Sequence, residues 1–196
     1  MLVDQVAGSL TTIAEDVKIQ VEFNPQTISE YRLIGYETRA LKREDFNNDK
    51  VDAGDIGAGH TVTALYEVTP VGSPAELVDG LRYGERGSAA KTKAANPSNG
   101  ANELAFVKLR YKLPGESASK LITTPVTPDR ADIAASEANF AAAVAGYGQL
   151  LQGSDFLGDW SLKDAEALAQ TARGRDAYGY RAEFLSLLRL ASSIKK

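Results

Sequence analysis

The stretch from Tyr31 to Val68 reads YRLIGYETRALKREDFNNDKVDAGDIGAGHTVTALYEV and decides how the chain is organised. It joins two runs typical of β-strands through a long acidic loop with several glycines, and such a long connection is unusual in a compact domain. The first run, Glu30 to Glu37, has apolar side chains at both alternating sets of positions, which predicts a central strand covered on both faces. The second run, His60 to Thr69, alternates apolar and polar residues and predicts a strand with one buried face.

Period-two alternation continues on both sides of this stretch. It marks three further runs: Val17 to Phe23, Leu104 to Leu113 and Lys120 to Val126. In the middle run Lys108, Arg110 and Lys112 occupy the polar positions, so we expect them to face solvent. Leu81 to Tyr83 is a candidate for a short edge strand, and the small, polar residues of Gly84 to Asn102 predict a flexible segment. The expected β domain is an antiparallel, sandwich-like sheet of about five to six strands.

The hydrophobic period changes to about 3.6 residues in the C-terminal third of the chain, which predicts three helices. Asp129 is a suitable N-cap for an alanine-rich helix that runs to about Gln152. Ser161, with an acidic residue three positions later, begins a second helix that Gly174 ends. Asp176 opens the last helix. The predicted apolar stripe of that helix consists of Tyr180, Phe184, Leu187, Leu188, Ala191 and Ile194. Strands followed by helices indicate the α+β class.

A further apolar stripe on one helical face lies at the N-terminus. It consists of Leu2, Val6, Leu10 and Ile13. No capping residue precedes it, so we expect a helix left from a preceding domain. Residues 1–16 would then be that helix, residues 17–127 the antiparallel β domain, and residues 128–196 a helical unit packed on the β domain.

The composition excludes several classes of function. The chain has 196 residues, of which 22 are basic and 26 acidic, and its net charge of −4 gives no general attraction to nucleic acid or to an anionic membrane. Because cysteine is absent, disulfides, thiolate zinc sites and cysteine catalysis are excluded. No apolar run reaches about 18 residues, so we expect no direct insertion into a membrane.

Oxygen-bearing side chains recur at short intervals in the acidic loop. Asp45, Asn47, Asp49 and Asp52 follow the spacing by which an extended loop wraps calcium. The match to an EF-hand is partial, because lysine stands where that loop needs glycine and isoleucine where it needs a bidentate glutamate. We therefore expect these side chains to order the loop chiefly by accepting hydrogen bonds from nearby backbone amides, with calcium binding as the alternative.

His60 is the only histidine, so any mechanism that needs an imidazole base must use it, with Asp52 and Asp55 as candidate orienting partners. No nucleophile signature accompanies it, and no catalytic residue is assigned. The glycines from Gly54 to Gly59 precede a strand instead of following one, which does not fit a phosphate-binding loop.

Three aromatic residues near predicted helix starts, Trp160, Tyr178 and Tyr180, could form a platform for a ligand. Packing is the favoured interpretation, because aromatic side chains at helical spacing usually lie in a core. No cofactor is predicted from them.

Four segments carry a resemblance to a known family. They are DVKIQVEFNP at Asp16 to Pro25, YRLIGYETRAL at Tyr31 to Leu41, EDFNNDKVDAGDIGAGHTVTALYEV at Glu44 to Val68, and YGYRAEFLSLLRLA at Tyr178 to Ala191. With them the chain resembles the C-terminal domain of bacterial von Willebrand factor type A domain proteins, a domain without an assigned activity. The resemblance implies that a type A domain lies upstream with residues 1–16 as its last helix, and that the protein is located in the bacterial cell envelope or periplasm. The D-x-S-x-S cation signature of a type A domain does not occur in this sequence, so no metal site is carried over.

Two functions are consistent with these observations. The first, which we favour, is a non-catalytic interaction or scaffold module that supports the type A domain and binds another protein. The alternative is a metal-dependent domain, calcium-binding or hydrolase-like, that uses the Asp45–Asp55 loop and His60. The two functions differ in whether these groups converge in a concave pocket.

Overall fold

A computed structural model of the chain describes residues 11–35, 40–78, 100, 102–129 and 135–194. The described chain divides into two compact units. The first comprises residues 11–32, 40–62, 68–78, 100 and 102–128, and the second comprises residues 33–35, 63–67, 129 and 135–194. The first unit is built mainly from strands and the second mainly from helices, which confirms the predicted α+β class.

The first unit contains a four-stranded antiparallel sheet in the order β3-β1-β5-β6. Its strands are β1 (Thr12–Phe23), β3 (Gly54–Gly57), β5 (Ala105–Lys112) and β6 (Lys120–Val126). Three of these strands coincide with the runs that alternate apolar and polar residues. The turn between β5 and β6 contains Gly115 at φ 79°, a conformation that glycine adopts without steric cost. The polar members of β1 and β5 lie side by side, because Lys18 is paired with Arg110 and Gln20 with Lys108.

Two further strands, β2 (Ile28–Leu33) and β4 (Tyr66–Pro70), form a separate two-stranded sheet. At its ends Val71 N–H donates to Thr27 O at 3.0 Å and Ile34 N–H donates to Leu65 O at 2.9 Å, which makes the pair antiparallel. The prediction of a central strand from Glu30 to Glu37 is therefore wrong. The described part of this segment pairs only with β4, and Tyr31 is 62% exposed.

The segment between the acidic loop and β4 also differs from its prediction. The strand expected to begin at His60 begins at Tyr66 instead, and Val62 is 77% exposed. Alternation alone was insufficient there, because a strand also needs a neighbour that takes up its hydrogen bonds. Gly54–Gly57 was not predicted to be a strand, yet it pairs with the first half of β1.

The predicted N-terminal helix does not include Ile13, because β1 begins at Thr12. Thr12 is paired with Gly57 and Ala14 with Ile56, so the long-range ladder overrides the helical pattern in this segment. The remainder of that predicted helix, the candidate strand Leu81–Tyr83 and nearly all of the segment 84–102 lie outside the described residues.

The second unit contains three helices, as predicted. They are α1 (Ala135–Gln152), α2 (Leu162–Thr171) and α3 (Tyr180–Ile194). Ser161 and Asp164 form the predicted capping box, in which each side chain satisfies a backbone amide of the other residue. Asp176 does not start α3 directly but caps it from four residues upstream, because its carboxylate accepts from the amides of Arg181 and Ala182. None of the described helices combines the length and the apolar character needed to cross a bilayer.

Small residues let the three helices approach closely. The buried cluster of this unit consists of Ala143, Ala165, Ala169, Leu185 and Leu188. The ring of Phe184 lies edge-on to the rings of Phe140 and Tyr147, with centroids 5.6 Å and 5.5 Å apart. Trp160 packs on the buried Gly146 of α1, where a Cβ atom would lie 2.5 Å from the indole Nε1. The favoured interpretation of Trp160 as a packing residue is therefore confirmed.

Candidate functional site

The acidic loop contacts the polar face of β1 and β5. A bulge in β1 brings Asp16 into this contact. The register of β1 shifts between Glu15 and Lys18, and Asp16 adopts a positive φ of 51°. Asp and Asn tolerate this left-handed conformation better than most residues. The bulge directs Asp16 toward the loop, where its Oδ1 accepts from Ala53 N–H at 3.1 Å. The Asp16 N–H donates to Asp55 Oδ1 at 3.2 Å.

An ion pair joins this bulge to β5. Lys112 Nζ lies 2.6 Å from Asp16 Oδ2, and it also donates to the backbone carbonyl of Asp49 at 2.7 Å. The side chains of the pair are only 14% and 19% exposed, so solvent screens the interaction weakly. The hydrogen bond from Lys112 is the largest cause that lowers the pKa of Asp16, and the same bond raises the pKa of Lys112.

Lys18 is the one charged side chain among the fully buried residues of the described chain, with 3% of its surface exposed. Its Nζ donates to the backbone carbonyls of Asn48 and Asp45, at the end of a 3₁₀ turn formed by Arg43–Asn47. A buried ammonium needs such acceptors, because an unpaired buried charge costs several kcal/mol. Lys18 therefore fixes the end of the 3₁₀ turn over the sheet.

Arg110 holds the middle of the same loop. One of its Nη atoms donates to Ser119 Oγ at 2.7 Å and the other donates to Asn47 Oδ1 at 3.1 Å. Its guanidinium lies 5.7 Å from the ring centroid of Phe46, which is 5% exposed and anchors the 3₁₀ turn. Asp49 accepts a hydrogen bond from Ser119 N–H at 3.4 Å, and hydrogen bonding by Ser119 is the main cause that lowers the pKa of Asp49.

The structure places the predicted calcium-ligand candidates within this network. Asn47 and Asp49 have their partners on β5 and on the β5–β6 turn, so the prediction that nearby amides chiefly satisfy them is wrong. Asp45 contributes its carbonyl to Lys18, and Asp52 lies next to Asp16. Within the described residues, no three acidic or histidine side chains are grouped so that they could hold a metal ion.

His60 is exposed at the end of the acidic loop, and its backbone N–H donates to Gly57 O at 3.2 Å. Among the described residues no hydrogen bond joins its ring to Asp52 or Asp55. Asp55 instead accepts from the amide of Asp16. The structure thus does not bring the three candidate catalytic groups together.

The basic residues of β5, Lys108, Arg110 and Lys112, were expected to face solvent. This expectation is wrong for two of the three. The side chains of Arg110 and Lys112 are 20% and 14% exposed, because the acidic loop covers them. The complementary charges of the acidic loop and the basic strand could have predicted this contact. Each is visible in the sequence, but no local pattern shows that the loop lies on the strand. Lys18 and Asp16 were missed for the same reason.

Replacing Asp16 by Asn is expected to lower the free energy of unfolding by about 2 kcal/mol at pH 7, because Lys112 is left half-buried without its counter-charge. Asn tolerates the positive φ, so the change isolates the charge. Since the folded-state pKa of Asp16 lies below its ordinary value of 3.8, its contribution is present above that pH and is lost as acid protonates it in the folded state. Denaturant titrations between pH 2 and pH 7 should therefore show a shallower acid loss for Asp16→Asn.

Glu116→Gln is the matched control for this change. It removes an exposed pair with Lys120 whose two side chains are each 47% exposed, so an effect below about 0.5 kcal/mol is expected. An acid profile of Asp16→Asn that superimposes on that of the unchanged chain would contradict the assigned role of the ion pair.

The helical unit presents an apolar groove between the end of α1 and one side of α3. Its volume is about 410 Å³, and leucines dominate its lining. Four side chains of this region are exposed: Leu151 (65%), Leu187 (47%), Leu190 (58%) and Ile194 (74%). The predicted stripe of α3 is therefore wrong for Leu187 and Ile194. The buried cluster contains Leu188, which was predicted, and Leu185, which was not.

Tyr178 and Tyr180 also depart from the packing interpretation. They are 72% and 41% exposed, and their rings lie near each other with centroids 5.9 Å apart. Only the Trp160 part of the aromatic prediction describes core packing.

Comparison with known proteins identifies a family. Residues 8–194 match the family described as "Uncharacterized protein YfbK, C-terminal". The chain is 44% identical over 194 residues to the Uncharacterized protein YfbK of Escherichia coli (strain K12), a match that covers 99% of this chain and 32% of that protein. The chain thus spans about a third of the length of this relative. No solved structure matches. The chain belongs to the family of YfbK C-terminal domains.

Proposed function

We propose that this chain is a non-catalytic interaction module that stands C-terminal to a von Willebrand type A domain in a longer protein and supports protein–protein interaction at the bacterial cell envelope. The observation that carries the proposal is the leucine-lined groove of the helical unit. Contiguous exposed apolar surface of this kind typically marks a site of protein interaction.

The spacing of the groove residues favours a helix as the bound element. Leu190 follows Leu187 by three positions on α3, and Ile194 follows Leu190 by four. Side chains at these spacings lie on one side of a helix, so the three residues form one ridge. A ridge beside a groove is the surface into which an amphipathic partner helix lays its apolar face. The Escherichia coli relative is about three times as long as the matched region, so a further part of the same polypeptide is a candidate source of such a helix in that protein.

The acidic loop does not favour the metal-dependent alternative. Three of its oxygen atoms accept hydrogen bonds that hold the loop on the sheet: the Asn48 carbonyl from Lys18, Asn47 Oδ1 from Arg110 and the Asp49 carbonyl from Lys112. A cation bound through Asn47 would compete with the bond to Arg110. The loop is better explained as an internal brace of the sheet unit than as a binding site.

The proposal predicts that the groove binds the upstream region of the longer protein. When that region is added separately to this chain, titration calorimetry should detect binding that Leu190→Glu weakens at least tenfold, because a carboxylate in an apolar contact is left unpaired. Gln170→Glu is the matched control: it introduces the same charge at an exposed position of α2 and should bind like the unchanged chain.

Two results would contradict the proposal. Equal affinity of Leu190→Glu and Gln170→Glu would show that the groove is not the docking surface. If calorimetry detects no heat of binding when the upstream region is added, that region is not the partner.

A further inference from the structure

The second half of β1 has an open hydrogen-bonding edge. β3 pairs with β1 only from Thr12 to Val17, where the last paired residue of β3 is Gly54. The residues that precede β3 are not paired with β1 in this sheet. Within the described residues, β1 has no strand neighbour on this side from Lys18 to Glu22.

The direction of the backbone groups follows from the ladder on the other side. The backbone N–H of Asn24 donates to Leu104 O at 2.9 Å, so the backbone N–H of Asn24 points toward the β5 side of β1. In an antiparallel strand successive residues point their N–H and C=O groups to opposite sides. Ile19 and Val21 therefore point their N–H and C=O groups to the open edge.

A cavity of about 380 Å³ lies along this edge. Residues 19–23 of β1 line it, together with Leu41, Lys42 and Arg43 and the rings of Tyr31 and Phe46. Glu22 also lines the cavity, and its carboxylate pairs with Lys108 at 3.7 Å. Lys42 and Arg43 are exposed and make no ion pair with any residue that the structure describes. The cavity thus combines the outward backbone groups of Ile19 and Val21 with the positive charges of Lys42 and Arg43, which have no ion-pair partner in the part of the chain that the structure describes.

We propose that this edge binds an extended acidic peptide as an added β-strand. The main chain of the peptide continues the ladder at Ile19 and Val21, which supplies affinity. Its side chains alternate between two faces. Apolar side chains lie beside Ile19, and acidic side chains lie beside Lys42 and Arg43, because the 3₁₀ turn that begins at Arg43 covers the face that carries Lys18.

Charge decides between this occupant and a second copy of the chain. Pairing of two β1 edges across a two-fold axis would bring the Lys42 and Arg43 side chains of one copy toward those of the other. Like charges in such a position oppose association, and lysines beside an edge are a common device against edge-to-edge pairing. An acidic strand meets no such repulsion. This site is independent of the groove in the helical unit, so each proposal stands or falls on its own variants.

Two synthetic probes test the proposal on the whole chain. One is a capped seven-residue peptide in which valine and glutamate alternate, and the other replaces each glutamate by lysine. Fluorescence anisotropy should show at least tenfold tighter binding of the glutamate peptide, and added salt should reduce this preference. Amide hydrogen exchange should show the Ile19 and Val21 amides exposed in the free chain and protected in the complex.

Two variants separate the charge from the backbone. Lys42→Glu combined with Arg43→Glu should reverse the preference between the peptides, whereas Lys163→Glu combined with Arg175→Glu, which makes the same charge change on exposed positions of the helical unit, should leave it unchanged. Val21→Pro removes an outward N–H from an edge, where proline is tolerated, and should abolish binding of both peptides. Far-UV circular dichroism shows whether each variant is folded.

Several outcomes would overturn the proposal. Equal binding of both peptides, or none by either, removes the acidic strand as occupant. Slow exchange of the Ile19 and Val21 amides in the free monomer means that the chain covers its own edge. Protection of these amides together with dimerisation in light scattering means that a second copy occupies it.

Discussion

Replacing Phe184 by alanine is expected to lower the free energy of unfolding by about 3–4 kcal/mol, one of the two largest effects of a single substitution in this chain. The phenyl ring touches Phe140 and Tyr147 edge-on and packs on the buried cluster of the helical unit. Its removal deletes both aromatic contacts and leaves a cavity that the helices fill only in part. Urea denaturation followed by circular dichroism at 222 nm measures the effect.

Leu187→Ala is the control for this substitution. Leu187 lies three residues further along α3 but is 47% exposed, so its truncation should cost about 1 kcal/mol or less. A loss below about 1 kcal/mol for Phe184→Ala would show that α3 is peripheral to the stability of the helical unit.

Gly146→Ala is expected to destabilise the chain by about 3 kcal/mol, although alanine is normally the better helix former. The new Cβ would lie 2.5 Å from Trp160 Nε1 and 3.0 Å from Cε2, and the rigid indole cannot move aside without opening the core.

Gly148 in the same helix provides a matched comparison. Nothing lies within 4 Å of a Cβ built there, so Gly148→Ala should stabilise the chain by about 0.5–1 kcal/mol through helix propensity alone. The two substitutions are chemically identical and differ only in their surroundings. If thermal denaturation shifts the melting temperature in the same direction for both, the close approach of Trp160 to α1 is wrong.

Local signals predicted the helical unit well. The capping box at Ser161 and Asp164 is contained in four residues, so the sequence alone was sufficient to place the start of α2. The alanine-rich run likewise predicted a helix ending at about Gln152, and its Ala143 is fully buried in the cluster of the helical unit. The exposed ridge of α3 was not predictable, because periodicity marks every apolar face and does not tell which one the neighbouring helices cover.

The sheet unit was predictable only where one strand carries its own pattern. β5 and β6 alternate clearly and are joined by a short turn, so their pairing follows from the sequence. Gly54–Gly57 has no side-chain pattern, and its partner lies in β1, so nothing local marked it as a strand. The same limit applies to the brace of Asp16, Lys18 and Lys112, whose partners are separated by tens of residues. Which charged side chains the acidic loop covers depends on contacts between distant parts of the chain.

The position of β1 in the sheet has a consequence for the kinetics of folding. β1 precedes β5 by a long stretch of chain, as shown by the hydrogen bond from Asn24 Nδ2 to Glu103 O across 79 residues. The β5–β6 hairpin and the helices need only local contacts and should form on the microsecond scale, so insertion of β1 is expected to limit the rate. Loop-closure entropy grows slowly, and doubling this connection would cost only about 0.6 kcal/mol. Lengthened connections between β1 and β5 should therefore fold more slowly yet reach nearly the same stability.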